Sequence, residues 1–430
     1  MKQILKFSHC LLLSLLMYNC SETKTDYKPI NLVSDTSMAA SNTDQYIWEK
    51  MVRIFQTKTE SPLNLNWEFW ASAEHTYANA CEKSEWPGDK IQKFLGNPKA
   101  VAEIDSINNQ RIDSVSNFET SAFTLLTLNF DNPYYEELRI NKAMFDYIQD
   151  NALYNQDSVY KMAKEGKINF PKDAMMIKAQ WIPVDSSQVG SYYTKIISGK
   201  KTVVSKVQEA IDTPNYVDAS VTNKLMGLVG FHIVTHELPN WVWATFEYSG
   251  NVGICDYIGC KDDFGCTESY IAPNPDNVVN KGYNTGETSK ALNLLFEENN
   301  VPEVFKNYRL KGSQTQYTDN EGQPTILGNS ILEANLVSSS SCISCHARAT
   351  LNNLNPAKRQ SLGMFSDMGG DAILPGEETD TTTVGYHPVA INGKPILKDY
   401  KYNSVTPDST YYRTNFMWQL AQRAGVCDEE

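Results

Sequence analysis

The tightest constraint on this chain is five residues long: Cys342-Ile343-Ser344-Cys345-His346, a C-x-x-C-H run directly after Ser338 to Ser341. With 9 Cys and 6 His among 430 residues, roughly 0.003 such runs are expected by chance. Two thiols separated by two residues reach both vinyl groups along one porphyrin edge, and the adjoining His supplies an iron ligand. The pattern is that of covalent haem c attachment. Rival readings fit less well. Zinc asks for about four ligands, and no second C-x-x-C is present. A thioredoxin-like pair needs a strand-to-helix setting that a serine run does not supply. A structural disulfide between Cys342 and Cys345 is the remaining alternative. One C-x-x-C-H predicts one haem.

A haem carried by a helix over Cys342 to His346 needs either a second iron ligand or an open face. Outside the motif and the first few residues, the histidines are His75, His232, His236 and His387. Period-two alternation in the strand around His232 gives it a face shared with Met226, Leu228, Gly230 and Val234, pointing it into an apolar core. A buried strand His is often a hydrogen-bonded core residue, but the haem makes His232 the candidate distal ligand. Met364 and Met368 follow in a Gly-containing stretch, and Met364 is the runner-up.

The only long apolar stretch lies at the start. Lys2 and Lys6 precede an apolar run from Cys10 to Met17 that is too short to span a bilayer. It reads as a secretory h-region ending at Met17-Tyr18-Asn19-Cys20-Ser21, which resembles a bacterial lipoprotein signal. The expectation is cleavage before Cys20, acylation of its sulfur, and anchoring to the lipid bilayer. An ordinary signal peptide is the alternative.

Along the rest of the chain, residues 20–43 read as a flexible tether. Ile47, Trp48, Met51, Val52 and Phe55 recur at helical spacing from Asp44 to Phe55, with Thr43 or Asp44 as cap. Further helices are predicted over Tyr134 to Asp150, Gln156 to Lys164 and Thr288 to Glu298. Ala174 to Val184, Lys224 to Thr235 and Asn240 to Tyr248 carry strand patterns, with a turn at His236 to Pro239. A hairpin is expected at Asn320-Glu321-Gly322. The predicted class is α+β: a helical N-terminal third, a central largely antiparallel sheet and a C-terminal haem c-binding segment. The regions are 1–19 signal peptide, 20–43 tether, 44–170 mainly helical, 171–335 sheet-rich and 336–430 haem-binding, with 44–430 able to form one compact unit.

Composition narrows the function classes. The formal charge is -13 with no dense basic patch, which argues against a nucleic-acid partner. The 23 Tyr, 16 Phe and 8 Trp must line much of the interior or a cofactor pocket. In an oxidising compartment, Cys255 with Cys260, or Cys260 with Cys266, reads as a loop staple. With Cys81 and Cys427 these make five thiols, so at least one stays free or pairs with another chain. Asp256, Asp262, Asp263, Asp276 and Asp319 match no EF-hand spacing and read as solvated loop.

Several segments together resemble a family of bacterial cytochrome c proteins of undefined role. They are Met176 to Trp181, Leu228 to His232, Trp241 to Glu247, Tyr308 to Thr315, Gly328 to Ala334 and Ser340 to Ala349, with Thr414 to Trp418 as a closing aromatic motif. Where this chain has Tyr248 the family often has His, so that position offers no nitrogen ligand. The resemblance implies an exported monohaem protein at the envelope of a diderm bacterium, periplasmic or on the outer membrane. The activity expected is electron transfer with redox partner proteins of the envelope. A haem peroxidase or oxidase with an open distal face, or a haem-based sensor, is the alternative.

Overall fold

Strands rich in β-branched and aromatic residues organise this chain, because each must bury two faces at once and so draws helices onto both sides. The structure is a computed structural model that describes residues 36–60, 63–88, 90, 97–99, 134–206, 215–251, 259–267, 286–331, 333, 340–353 and 411–427. Its helices are α1 (Thr36–Ser41), α2 (Thr43–Phe55), α3 (Ala73–Thr76), α4 (Lys142–Asp150), α5 (Gln156–Lys164), α6 (Lys290–Glu298), α7 (Cys342–Ala347) and α8 (Trp418–Arg423). The strands are β1 (Thr57–Glu60), β2 (Leu63–Leu65), β3 (Ala71–Ser72), β4 (Asn97–Lys99), β5 (Tyr134–Ile140), β6 (Met175–Pro183), β7 (Thr194–Lys206), β8 (Asn215–Thr235), β9 (Val242–Tyr248), β10 (Tyr308–Gln314), β11 (Thr350–Asn352) and β12 (Tyr411–Arg413). Eight of them form one sheet, ordered β10-β9-β8-β6-β5-β3, with β4 also on β5 and β7 on β8. Every pairing in it is antiparallel. This is an α+β protein with a large antiparallel sheet, as the sequence predicts.

Alternation along β6 separates two cores. Met175, Ile177, Ala179 and Trp181 face Trp48, Met51, Val52 and Phe55 of α2 and Leu292 and Phe296 of α6. On the opposite face, Met176, Val234 and Trp243 pack with Met144, Phe145 and Ile148 of α4, Ile343 and Ala347 of α7, and Leu420 of α8. Residues 33–430 form one compact unit. Among the described residues no helix is long and apolar enough to cross a membrane.

Local chemistry moves several boundaries. The predicted helix from Tyr134 to Asp150 is strand β5 followed by α4, so strands share the first third with helices. Asn141 makes the break: its Oδ1 accepts from the backbone of Met144 at 3.1 Å and of Met175 at 3.0 Å, capping α4 and joining it to β6. Residues 36–41, read as the end of the tether, are helical, and Ala39 is buried. Asp44 does not cap α2; its carboxylate accepts from Ser313 and from the backbone of Asp263. The expected hairpin forms as a Thr318 to Pro324 bridge, with Gly322 at φ 75.

A β-bulge changes what surrounds His232. Gln180 pairs with Gly230 but Trp181 pairs with Leu228, so Val229 is the extra residue. Met226 and Leu228 therefore join the α2 core, while His232 shares its face with Gly230 and Val234. Simple alternation predicts the wrong neighbours, because one inserted residue inverts the pattern on one side of the bulge.

Candidate functional site

The C-x-x-C-H run is helical, and that placement sorts its side chains. Ile343 and Ala347, four apart, are buried against the sheet, whereas Cys342, Cys345 and His346 share the other stripe and are half-buried. The preceding serine starts the helix: Ser341 Oγ accepts from the backbone of Ser344 at 3.4 Å. Gln314, the last residue of β10, holds this helix end to the sheet. Its Oε1 accepts from the backbone of Ile343 at 3.0 Å and its Nε2 donates to Ser341 Oγ at 2.9 Å.

His346 is oriented from the far end of the chain. Its Nδ1 lies 2.8 Å from the carbonyl oxygen of Phe416. A carbonyl only accepts, so Nδ1 carries the proton and Nε2 presents its lone pair. The ring lies 4.4 Å, centroid to centroid, from Trp243 on β9. Burial pushes the His346 pKa down to about 4, although the Phe416 bond opposes it, so the imidazole is neutral at pH 7. A neutral, single-tautomer imidazole with a free Nε2 is the form that binds iron.

Cys342 and Cys345 are free thiols, so the structural disulfide considered for this pair is absent. Burial, followed by the Glu333 carboxylate, raises both: Cys345 up to about 11 and Cys342 well above the ordinary thiol range. Redox-active and nucleophilic cysteines show the opposite shift. Among the described residues no group of three or more His, Cys, Asp or Glu is placed to hold a metal ion.

Beside this helix the sheet carries a buried polar strip. Lys178, His232 and Thr245 stand in register on β6, β8 and β9. His232 Nε2 lies 3.6 Å from Glu333 Oε1, and Lys178 pairs with Glu136 at 2.9 Å. Glu247 and Lys311, both fully buried, are 3.4 Å apart. The turn bearing Glu333 lies close on the strip, with Asn329 Nδ2 donating to Thr245 Oγ1 at 3.1 Å. Gly230 is required beneath it, since a Cβ there would stand 2.7 Å from Asn329 Nδ2. Burial raises Glu333 to about 7, against the pull of Lys178.

The structure therefore brings Cys342, Cys345, His346 and His232 to one face of the sheet, with Glu333 influencing both thiols and touching His232. His75, by contrast, bonds the Glu85 carbonyl at 2.7 Å, and His236 packs against Trp241 with ring centroids 4.4 Å apart. Cys20, Cys255, Met364, Met368 and His387 lie outside the described residues. Cys260 is disulfide-bonded and Cys266 keeps its thiol, so the Cys260 to Cys266 staple does not form. Cys81 pairs with Cys427. Residue type alone does not mark Phe416, Trp243, Glu333 or Lys178 as site residues. Phe416 acts through its backbone, which no residue type reveals, although it lies in the closing aromatic motif.

In comparisons with known proteins, no family model matches the chain, and neither a curated protein nor a solved structure does so.

Proposed function

We propose that the chain is an exported monohaem c-type cytochrome, with haem c bound through thioethers to Cys342 and Cys345 and ligated by Nε2 of His346. The observation that carries this reading is the Phe416 carbonyl on His346 Nδ1 beside two reduced thiols at helical spacing. In attachment, each Sγ forms a C–S bond with one vinyl carbon and the thiol hydrogen passes to the other. The addition is redox-neutral and needs a thiol, not a disulfide. When bound, haem c supplies a one-electron ferric/ferrous couple. Ile343 and Ala347 anchor the helix, Trp243 excludes water from one side of the imidazole, and Phe416 fixes its plane.

His232 is the proposed second ligand, on the same sheet face and with Glu333 Oε1 3.6 Å from its Nε2, with Met364 as the runner-up. Electron transfer with redox partners at the cell envelope is the activity this supports, from a chain tethered to lipid through Cys20. The strip of buried Glu247 and Lys311 with half-buried Lys178 and Glu333 favours a second reading, a haem enzyme or sensor, because a plain carrier has no evident use for so many charges there. Carbon monoxide binding without ligand displacement, or peroxide turnover, would select that reading. The attachment itself is tested on a denaturing gel stained for haem peroxidase activity. Wild type from cells with a working maturation system should stain, and Cys342→Ala with Cys345→Ala should not.

A further inference from the structure

Five described residues other than glycine have positive φ: Ala152, Trp241, Asn300, Asn415 and Phe416. Three of them are linked in one chain of contacts that ends on His346. Phe416, at φ 65, presents the carbonyl that holds His346 Nδ1, and Asn415, at φ 52, precedes it. Trp241, at φ 62, donates from Nε1 to Asn415 Oδ1 at 2.7 Å, and Asn415 Nδ2 donates onward to the Ile168 carbonyl at 2.8 Å. Two residues after Trp241 in the chain, Trp243 packs on the His346 ring.

A left-handed backbone is adopted readily by glycine and tolerated by asparagine, but bulky aromatic residues resist it. If the chain needed only a turn at these places, glycine would serve. The aromatic side chains are retained because they pack: Trp241 against His236 and Phe170, with ring centroids at 4.4 and 5.5 Å, and Phe416 toward Trp243 at 6.1 Å. Surrounding structure thus over-determines an unfavourable backbone at the one carbonyl that orients the ligand. Thr414 adds to this, with its Oγ1 donating to the Ala349 carbonyl at 2.8 Å just beyond the C-x-x-C-H helix.

We propose that Asn415 and Trp241 are positioning residues that lock the Phe416 carbonyl onto His346 and thereby set the donor strength of its imidazole. This rests on the haem reading above. A carbonyl accepting from Nδ1–H makes Nε2 a stronger donor and favours ferric iron, so loosening the lock raises the reduction potential. Outer partners of this kind change metal affinity by 10-fold or more, and a tenfold shift in the ferric/ferrous ratio corresponds to about 59 mV for a one-electron couple.

The test uses the full-length protein from cells with a working maturation system, as wild type, Asn415→Val and Trp241→Phe. Asn141→Ala serves as a control that removes a helix cap whose hydrogen bonds go to Met144, Asp173 and Met175 and to none of these residues. Haem staining after denaturation reports attachment, and a spectroelectrochemical titration reports the potential. All four proteins should stain. Asn415→Val and Trp241→Phe should show potentials raised by about 59 mV, which is a tenfold lower ferric/ferrous ratio at a given applied potential, while Asn141→Ala lowers the Tm and leaves the potential in place. If Asn415→Val is not matured, Trp241→Phe carries the comparison. Stained variants with the wild-type potential would overturn the lock. An unstained wild type would instead overturn the haem reading, and the lock with it.

Discussion

Asp262 illustrates how far a single side chain can depart from what its neighbours in sequence suggest. Standing in a stretch rich in Asp, Gly and Cys, it reads as solvated, yet it is buried and accepts from Trp48 Nε1 at 2.9 Å and from the backbone of Phe264 and Gly265. Burial raises its pKa to about 6, above the ordinary 3.8. The folded state then binds the proton more tightly than the unfolded state. That contribution is fully present below pH 3.8 and is lost as pH rises through about 6. Asp262→Asn should remove this slope, which is on the order of 2–3 kcal/mol, from stability measured by thermal melts across that range. His232 gives the second prediction at this scale. If it is the second iron ligand, His232→Ala should convert a low-spin absorption spectrum to a high-spin one, whereas Met364→Ala should leave it unchanged. A sulfur-to-iron charge-transfer band in the oxidised wild type would select Met ligation and leave His232 as a core residue beside Glu333.

At the scale of elements, the C-terminal segment is the part whose role is least visible in the sequence. It carries β12, the Asn415–Phe416 turn and α8, and ends in the Cys81–Cys427 disulfide, which spans a sequence separation of 346. Just before the disulfide, Gly425 exchanges backbone bonds with Tyr154 and Gln156, and a Cβ on it would lie 2.7 Å from Ala80. The segment is thus closed at one end by the disulfide and engaged at the other by His346. Replacing Cys81 and Cys427 by Ala should cost about 2–4 kcal/mol in denaturant unfolding. An unchanged unfolding midpoint would mean that the segment is held by packing alone. Helices α2, α5 and α6, strands β6 and β9 and the second half of β8 were legible because each carries an apolar pattern of its own. Strand β5 was not, since Leu138, Met144, Phe145 and Ile148 mimic a helical stripe across the Asn141 break. The Val229 bulge was equally hidden, because an inserted residue changes pairing without altering composition.

For the whole molecule, the sheet is the device that assembles the site. One face serves the α2 core. The other carries an apolar end, where α7 docks beside Trp243, and a polar end holding Lys178, His232, Glu247 and Lys311. The C-x-x-C-H residues were legible because their spacing is set by covalent chemistry. The Phe416 carbonyl, 70 residues from His346, and the Glu333 carboxylate were not, because only the folded chain brings them there. The central claim is that this helix bears a covalent haem, and the intact mass of the protein tests it most directly. Chains purified from cells with a working maturation system, denatured and freed of loosely bound molecules, should carry the mass of one haem. Cys342→Ala with Cys345→Ala should lose it. A wild-type chain at its unmodified polypeptide mass would contradict the account.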